Sequence, residues 1–357
     1  MASRQRLQSQ NCDLFGERLV SYPVLDLVMR GCLRLRVLAL CLAVRRGSSS
    51  RAGGGRAPGP AQRGLKAKQS LGQNFLQDVA IARRIAGSLD DGSEGGCRVI
   101  ELGPGQGALT GHLLARYPRM TAIEIDERMV AHLQTEQPAL VVEQGDLLEL
   151  NFAEAAAQRG GRLGVISNTP YYLTSPLLFK LLAGVEHVES AVLTTQKEVA
   201  DKILSPPRSK QYGILSVMLQ LFCTPERLFE IPPEAFAPAP KVSSTALRFT
   251  PSAIPAGENE PLTLAQRAAI LSVLKLTFES RRKMLRVSLR PWLDKELVTA
   301  PSSDVLALRP EQCSPHDFLA LTRTLFGDDF ATGGGGALLE KHHVSKAWRA
   351  HKAGWKS

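Results

Sequence analysis

Short apolar runs alternate with amphipathic stretches throughout residues 66–249, and this alternation constrains the fold more than any other feature of the sequence. Apolar runs of a few residues indicate buried strands, and amphipathic stretches indicate helices. Strands and helices that alternate in this way form a mostly parallel sheet with helices on both faces. We therefore predict a Rossmann-like α/β domain, with strands at 99–102, 120–124, 140–142, 163–166 and 190–194.

A second, smaller domain is predicted from residues 250–327. This region follows a proline-rich break and has helix-spaced apolar residues at 264–276 and 280–289, with few strand signals. A further short helical stretch is expected over 309–325. Residues 328–357 contain a run of four glycines, which indicates a flexible linker, followed by a basic tail.

Residues 1–65 are predicted to be an organelle-targeting segment. They contain eleven arginines, no lysine and three acidic residues, and they end in a glycine- and proline-rich stretch. An apolar run at 37–44 is far shorter than a membrane-spanning helix. A short apolar run after basic residues also fits a two-stage import signal, so we expect a plastid rather than a mitochondrial address.

The net charge of the chain is concentrated at its two ends. The formal charge is +10, of which residues 1–65 contribute +8 and the last eighteen residues +4. The region between them therefore carries −2 and is not basic. If this protein binds RNA, it must do so through local basic patches and the tail rather than through its mean charge.

The six cysteines offer no evidence for a metal site. They are widely spaced, without a C-x-x-C pair or a Cys/His cluster at zinc-ligand spacing. The adjacent pair His342 and His343 lies in the tail and is interpreted as a solvated element. We expect reduced thiols and no bound metal.

A glycine-rich loop at 103–107 follows the first of these strands and precedes the helix-like segment 108–114. Glycines let a ligand approach the backbone near a helix N-terminus. The G-x-G-x-G spacing lacks the G-x-G-x-x-G of pyrophosphate binders, and Glu124 can accept both ribose hydroxyls. These features favour S-adenosylmethionine over NAD. Asp146 is placed either to accept from the adenine amine of the cofactor or to cap a turn.

The segment 167–172, at the end of the fourth predicted strand, indicates the reaction. The lone pair of an exocyclic adenine amine is delocalised into the ring, so acceptors must bind its hydrogens before it attacks a methyl group. Asn168 offers a side-chain carbonyl, a backbone carbonyl near Pro170 offers a second acceptor, and Tyr171 offers a stacking face. Positioning then suffices without a strong base. A simple strand-terminal turn is the alternative interpretation.

With these residues in view, residues 66–325 resemble the ribosomal RNA small-subunit adenine dimethyltransferase family, the bacterial KsgA type and its eukaryotic counterparts. Several motifs agree with the family in order, and so long a set is highly specific. They are 68–76, 101–107, Glu124, Asp146, 168–171, 196–199, 209–213, 236–244 and 281–286.

The resemblance implies a class I S-adenosylmethionine-dependent methyltransferase domain with a small C-terminal α-helical domain. It also implies the transfer of two methyl groups to each of two adjacent adenosines in the 3′-terminal hairpin loop of small-subunit rRNA. The implied cofactor is S-adenosylmethionine, and the implied partners are this rRNA and the assembling small ribosomal subunit. We expect a monomer that needs no metal and no membrane.

The resemblance further assigns roles by position. The catalytic residues would be Asn168, Pro170 and Tyr171. The residues that contact the cofactor or line its site would be Asn74, Leu76, Gly103, Gly105, Glu124, Asp146 and Asn168. Tyr171 and Phe236 would hold the target base. Arg281, Arg282, Lys283 and Arg286 would meet RNA phosphates, with a solvated helix face as the alternative for these four.

Two positions depart from the family pattern. Thr169 stands where the family usually has Leu or Ile, within the reaction centre. Its main-chain role survives this change, so we expect activity to remain. Ser243 stands where Asp is common, which puts only a local polar contact in doubt.

Two alternative functions remain open. A related methyltransferase would act on large-subunit rRNA, but the helical domain with its 309–311 motif and the organelle address favour the small subunit. An organellar transcription factor of the same fold should have lost its site. Because Gly103, Glu124, Asn168, Pro170 and Tyr171 are all present, the sequence favours an enzyme.

Overall fold

The structure is a computed structural model that describes residues 74–168, 170–252, 261–294 and 298–331. Seven strands form its main sheet. They are β2 (Val99–Leu102), β3 (Thr121–Glu124), β4 (Val141–Gln144), β5 (Leu163–Ser167), β6 (Val188–Gln196), β7 (Cys223–Ile231) and β9 (Ser244–Pro251). Their order in the sheet is β4-β3-β2-β5-β6-β9-β7.

The sheet is parallel from β4 to β6, and β9 runs antiparallel to both of its neighbours. Every residue of β2 and β5 is buried, because helices cover both faces of the parallel part. The predicted Rossmann-like domain is therefore confirmed. The antiparallel edge formed by β9 and β7 is an addition that the sequence pattern did not indicate.

The helices of this domain connect the strands. They are α1 (Val79–Ala86), α2 (Thr110–Leu114), α3 (Glu127–Glu136), α4 (Phe152–Gln158), α5 (Tyr171–Ala183), α6 (Lys197–Leu204) and α7 (Ile214–Phe222). From β2 the chain proceeds through α2 toward one edge of the sheet, and from β5 it proceeds through α5 toward the other. In open α/β sheets, such a reversal of direction leaves a crevice at the carboxyl ends of the two strands, here β2 and β5, and ligands bind there.

A separate two-stranded sheet joins two distant segments. It consists of β1 (Phe75–Leu76) and β8 (Phe236–Ala237), which are antiparallel, with Leu76 opposite Phe236. Both Leu76 and Phe236 are buried in the hydrophobic core. The segment before the main sheet and the segment before β9 are therefore held together.

The C-terminal part is helical, as predicted. Its helices are α8 (Leu264–Glu279), α9 (Leu285–Ser288), α10 (Arg290–Leu293), α11 (Ser303–Ala307) and α12 (Pro315–Ala331). The buried Arg267 in α8 donates to the carbonyl oxygens of Leu182 and Ala183 at the end of α5. Tyr212, two residues before α7, packs against Phe278 of α8, and Phe278 packs against Phe318 of α12. The domain boundary at residue 250 stays a prediction.

One predicted helix was partly wrong. The segment 280–289 was expected to be helical, but residues 281–283 form a turn and only Leu285–Ser288 is helical. The reason is tertiary: the Arg281 guanidinium donates to the carbonyl oxygens of Ser209 and Lys210, which holds the turn against another loop.

Several predictions fall outside the described residues. These are the targeting segment 1–65, the motif residues 68–73, Thr169, the proline-rich segment 253–260 and the tail from 332 onward. Within the residues that are described, no helix is long and apolar enough to cross a membrane. The same residues hold no cluster of three or more His, Cys, Asp or Glu side chains that could bind a metal ion.

Candidate active site

The glycine loop after β2 adopts backbone conformations that favour glycine. The φ angles of Gly103, Gly105 and Gly107 are +67°, +57° and +85°. A Cβ at Gly105 would lie 3.3 Å from the ring of Phe75, and one at Gly107 would lie 2.9 Å from the Leu133 side chain. Side chains would therefore be strained here, and the bare backbone lines the crevice.

The loop is tied to Glu124 at the end of β3. This side chain is 6% exposed, and its two oxygens accept from the amides of Gly105 at 3.0 Å and Asp126 at 2.9 Å. A carboxylate has about four acceptor sites, so capacity for ribose hydroxyls remains. The next residue, Ile125, is 56% exposed and provides an apolar face beside the carboxylate. Hydroxyl acceptors beside an apolar face suit an adenosine, so the residues fit S-adenosylmethionine.

A second carboxylate, Glu101, lies buried under the same loop. Thr110 at the start of α2 donates to it at 2.7 Å, which connects the two ends of the loop. Burial raises the pKa of Glu101 to about 7, the Thr110 hydrogen bond opposes this, and nearby Glu124 adds to it. The motif was recognised from sequence, but Glu101 was not assigned a role. An acid within an otherwise apolar strand was the available signal.

The reaction centre lies directly beside the glycine loop. Leu102 pairs with Ser167 in the parallel register, and the Ser167 hydroxyl donates to the Leu102 carbonyl oxygen at 2.7 Å. The residues that follow, Gly103 and Asn168, are therefore neighbours at the strand ends. This register brings the predicted cofactor loop and the predicted catalytic segment to one place.

The Asn168 amide is oriented by the neighbouring strand. Its side-chain oxygen accepts a hydrogen bond of 2.6 Å from the hydroxyl of Thr194 in β6. An amide oxygen has two lone pairs, so one acceptor position stays available for an amine hydrogen. Sequence reasoning missed Thr194, because a threonine in a strand is common and nothing local marks it.

Tyr171 begins helix α5 and is preceded by Pro170, whose φ is −54°. The Tyr171 hydroxyl lies 2.7 Å from the Ser244 hydroxyl at the start of β9. Burial raises the pKa of Tyr171, while the hydrogen bond to Ser244 opposes the shift. The ring is thus held at both ends, by the helix start and by β9. Ser244 was part of a recognised motif but was not assigned to the site.

Tyr172 lies in the segment 167–172, but the sequence assigned it no role of its own. It is 41% exposed, and burial of the rest of the side chain raises its pKa. The negative charges of Asp146 and Glu124 raise the pKa further. The doubled tyrosine after Pro170 was the available signal.

The remaining predicted cofactor residues are Asn74, Leu76 and Asp146. Half-buried Asn74 precedes β1, and Leu76 is buried opposite Phe236. Asp146 follows β4, and one of its oxygens accepts from the Leu148 amide at 2.9 Å, a turn contact. Its contact with the cofactor adenine stays a prediction. Phe236 is only 6% exposed, so little of its ring is available in this conformation, and its contact with the target base also stays a prediction.

The four predicted RNA-binding cations have different surroundings. Arg281 pairs with Glu311 at 3.0 Å, and it also donates to the two loop carbonyl oxygens described above. Arg282, Lys283 and Arg286 are exposed, and within the described residues their side chains form no ion pair. Three cations are thus available to phosphates, whereas Arg281 is engaged within the fold.

The chain is similar in sequence to known ribosomal RNA methyltransferases. A family model described as ribosomal RNA adenine dimethylase matches residues 64–324. The chain is 45% identical over 263 residues to ribosomal RNA small subunit methyltransferase A of Salinibacter ruber, which covers 73% of this chain and 86% of that protein. A protein with the same name from Porphyromonas gingivalis is 40% identical over 264 residues, and the match covers 73% of this chain and 98% of that protein.

Among solved structures, a dimethyladenosine transferase from Plasmodium falciparum has a TM-score of 0.55 and 22% identity to this chain. The match covers 73% of this chain and 98% of that one, and it indicates a shared fold.

Proposed function

The chain belongs to the ribosomal RNA adenine dimethylase family, and from this premise we propose that it uses S-adenosylmethionine to dimethylate two adjacent adenosines of small-subunit rRNA. The target is the pair in the 3′-terminal hairpin loop, and each adenosine receives two methyl groups on N6. The modification contributes to maturation of the small subunit. One observation carries the proposal: the pairing of Leu102 with Ser167 sets the glycine loop beside Asn168.

The residues of the crevice would hold the cofactor without phosphate contacts. Glu124 would accept from the ribose hydroxyls, the Gly103 to Gly107 backbone would pass under the ligand, and Ile125 would cover the adenine. When bound, S-adenosylmethionine supplies an electrophilic methyl group. Every other part of the reaction is done by the protein's side chains and backbone and by the substrate.

Asn168 and the backbone near Pro170 accept from the two hydrogens of the target amine. This draws the nitrogen lone pair out of conjugation and aims it along the line of attack. Tyr171 supports the flipped base by stacking, and its hydrogen bond to Ser244 keeps the ring in place. The amine proton becomes acidic once the nitrogen carries the new methyl group, so it leaves to water. A strong general base is not needed.

The RNA outside the target base meets the exposed cations Arg282, Lys283 and Arg286. The central region of the chain is acidic overall, so binding depends on such local patches. Phosphate contacts position the RNA, while the reaction centre selects the base.

The decisive experiment supplies the protein with labelled cofactor and two substrates, undermethylated small ribosomal subunits and naked large-subunit rRNA. We expect label in the small subunit, at N6 of two adjacent adenosines, and none after Asn168→Ala. Label in the large-subunit rRNA would favour the second candidate, the large-subunit methyltransferase. Cofactor binding without any methyl transfer would favour a binding protein such as a transcription factor.

The cellular setting of this activity is a proposal as well. We propose that the arginine-rich residues 1–65 direct the protein to an organelle, a plastid in preference to a mitochondrion, where it acts as a monomer on the assembling small subunit. Fusing residues 1–65 to a fluorescent protein tests this. Plastid fluorescence is expected, and a cytosolic signal would contradict the targeting role.

A further inference from the structure

A cavity of about 330 Å³ lies at the carboxyl end of β6. Its volume is near the lower end for small-molecule sites, so it suits a ligand the size of one nucleobase or nucleoside. Five of the lining residues lie in family motifs, and the proposed reaction assigns a role to none of these five. The lining residues are Gln196, Lys197, Glu198, Asp201, Val242 and Ser243.

Two structural connections link this cavity to the catalytic residues. Gln196 lies opposite Ser244 in the β6–β9 register, and Ser244 holds the Tyr171 hydroxyl. Directly opposite residues of antiparallel strands have Cβ atoms about 5 Å apart. Gln196 also lies two residues beyond Thr194, on the same face of β6 and about 7 Å along the strand. The cavity therefore adjoins the place where the target base stacks.

The electrostatics of the cavity suit an uncharged ligand. Its lining contains one lysine and two carboxylates, and each of the three is paired with a neighbouring side chain of opposite charge. The pairs are Lys197 with Glu230, Glu198 with Lys202 at 2.8 Å, and Asp201 with Arg227 at 2.6 Å. No unpaired cation among these lining residues would attract a phosphate, so a base fits better than the RNA backbone.

The polar and apolar groups of the lining suit a base in particular. Within the part of the chain that the structure describes, neither the side-chain amide of Gln196 nor the hydroxyl of Ser243 forms a hydrogen bond. An amide offers both a donor and an acceptor, as the edge of adenine requires. Val242, which is 45% exposed, provides an apolar wall for the face of the ring. Unstacked bases of RNA loops are recognised by such combinations of edge and face contacts.

Resting on the proposed function, we propose that this cavity holds the base of the adenosine adjacent to the one in the reaction centre. The two target adenosines are neighbours in the RNA strand. While one of them stacks on Tyr171, the other must therefore lie nearby. Only one of the two adenosines is methylated with its neighbour in the cavity. When the other adenosine is the target, the neighbouring base lies on the opposite side of the target base. Gln196 contacts the edge of the neighbouring base, and Val242 contacts its face.

The test compares methylation at the two adenosines separately. The full chain and its variants Gln196→Leu and Val242→Asp are incubated with undermethylated small subunits and cofactor, and mass spectrometry of the rRNA fragment follows each position with time. Val141→Asp is the matched control, since Val141 is 58% exposed on the far edge strand. Cofactor affinity and the thermal unfolding midpoint verify that each variant is folded.

We expect both variants to slow methylation of one adenosine by about tenfold, the effect of losing one good base contact, and to leave the other within about twofold of wild type. The control variant should match wild type at both positions. Equal slowing at the two adenosines, or no slowing, would overturn the proposed base site while leaving the proposed function intact. A wild-type chain that methylates neither adenosine would overturn the proposed function, and the base site with it.

Discussion

The hydroxyl of Thr194 donates a hydrogen bond of 2.6 Å to the side-chain oxygen of Asn168. Thr194 lies in β6 and Asn168 follows β5, so the contact spans two adjacent parallel strands. It decides which way the amide faces, and with it whether oxygen or nitrogen is presented to the target amine. Thr194 is therefore a positioning residue for the reaction centre.

Replacing Thr194 with valine should slow methyl transfer by about fivefold. The change keeps the shape of the side chain and removes one hydrogen bond, which contributes about 1 kcal/mol. We expect kcat to fall while cofactor affinity stays at its wild-type value, as measured by steady-state kinetics and calorimetry. Thr194→Ser retains the hydroxyl and should restore most of the rate. A valine variant with unchanged kcat would mean that the amide is oriented by something else.

Two substitutions of Tyr171 should separate its ring from its hydroxyl. Tyr171→Phe loses only the hydrogen bond to Ser244, so the rate should fall no more than about tenfold. Tyr171→Ala also loses base stacking, which contributes about 1–3 kcal/mol, and the rate should fall by a further factor of about five or more. Single-turnover assays on small subunits measure both. Equal rates for the two variants would exclude stacking by this ring.

Arg281 should contribute to the stability of the folded chain, in contrast to its neighbour Arg282. Arg281→Gln removes the ion pair with Glu311 and weakens the contacts to the 209–210 carbonyl oxygens, so we expect a loss of about 2 kcal/mol. The thermal midpoint should fall by about 5 °C. Arg282→Gln is the matched control, an exposed arginine without such contacts within the described residues, and its midpoint should not change. Similar midpoints for both variants would contradict a structural role for Arg281.

RNA binding should depend on Arg282 through a phosphate contact. Arg282→Glu should weaken binding to small-subunit rRNA. The plot of log affinity against log salt concentration should become less steep by about 1, and cofactor affinity should not change. Filter binding at several salt concentrations gives the slope. If the slope matches that of wild type, Arg282 does not contact a phosphate.

Glu101 should make stability depend on pH. Its pKa is raised from the ordinary 4.5 to about 7 in the folded chain, chiefly by burial. Between these two values the folded state holds a proton that the unfolded state has lost, so stability falls as pH rises through this window and is level above it. Glu101→Gln keeps an acceptor for Thr110 and removes the charge.

Relative to wild type, the Glu101→Gln variant should therefore gain stability as pH rises from about 4.5 to about 7, by up to ~3 kcal/mol. Denaturant unfolding at about pH 5 and about pH 8 measures the gain. A difference that is the same at both pH values would show that Glu101 keeps an ordinary pKa in the fold.

The sequence alone was sufficient for the features that depend on local signals. Apolar runs and glycine spacing predicted the parallel sheet, the loop at 103–107 and the adjacent reaction centre at Asn168, because strand length and backbone freedom are encoded by neighbouring residues. The glycine spacing with Glu124 favoured the cofactor, and the family motifs added the substrate. None of this required knowledge of which distant residues touch.

Only the tertiary structure decided the contacts between distant segments. Tyr171 and Ser244 are 73 residues apart in sequence, and their hydroxyls meet because β9 turns back antiparallel against β6. The contact of Arg281 with Glu311 also depends on the tertiary structure. The neighbouring residues Arg282 and Lys283 are basic too, so the sequence does not distinguish Arg281 from them. Strand register and helix packing set such distances, and no local pattern encodes them. The glycine loop and Asn168 could be found in the sequence, whereas the hydroxyls that orient the site could not.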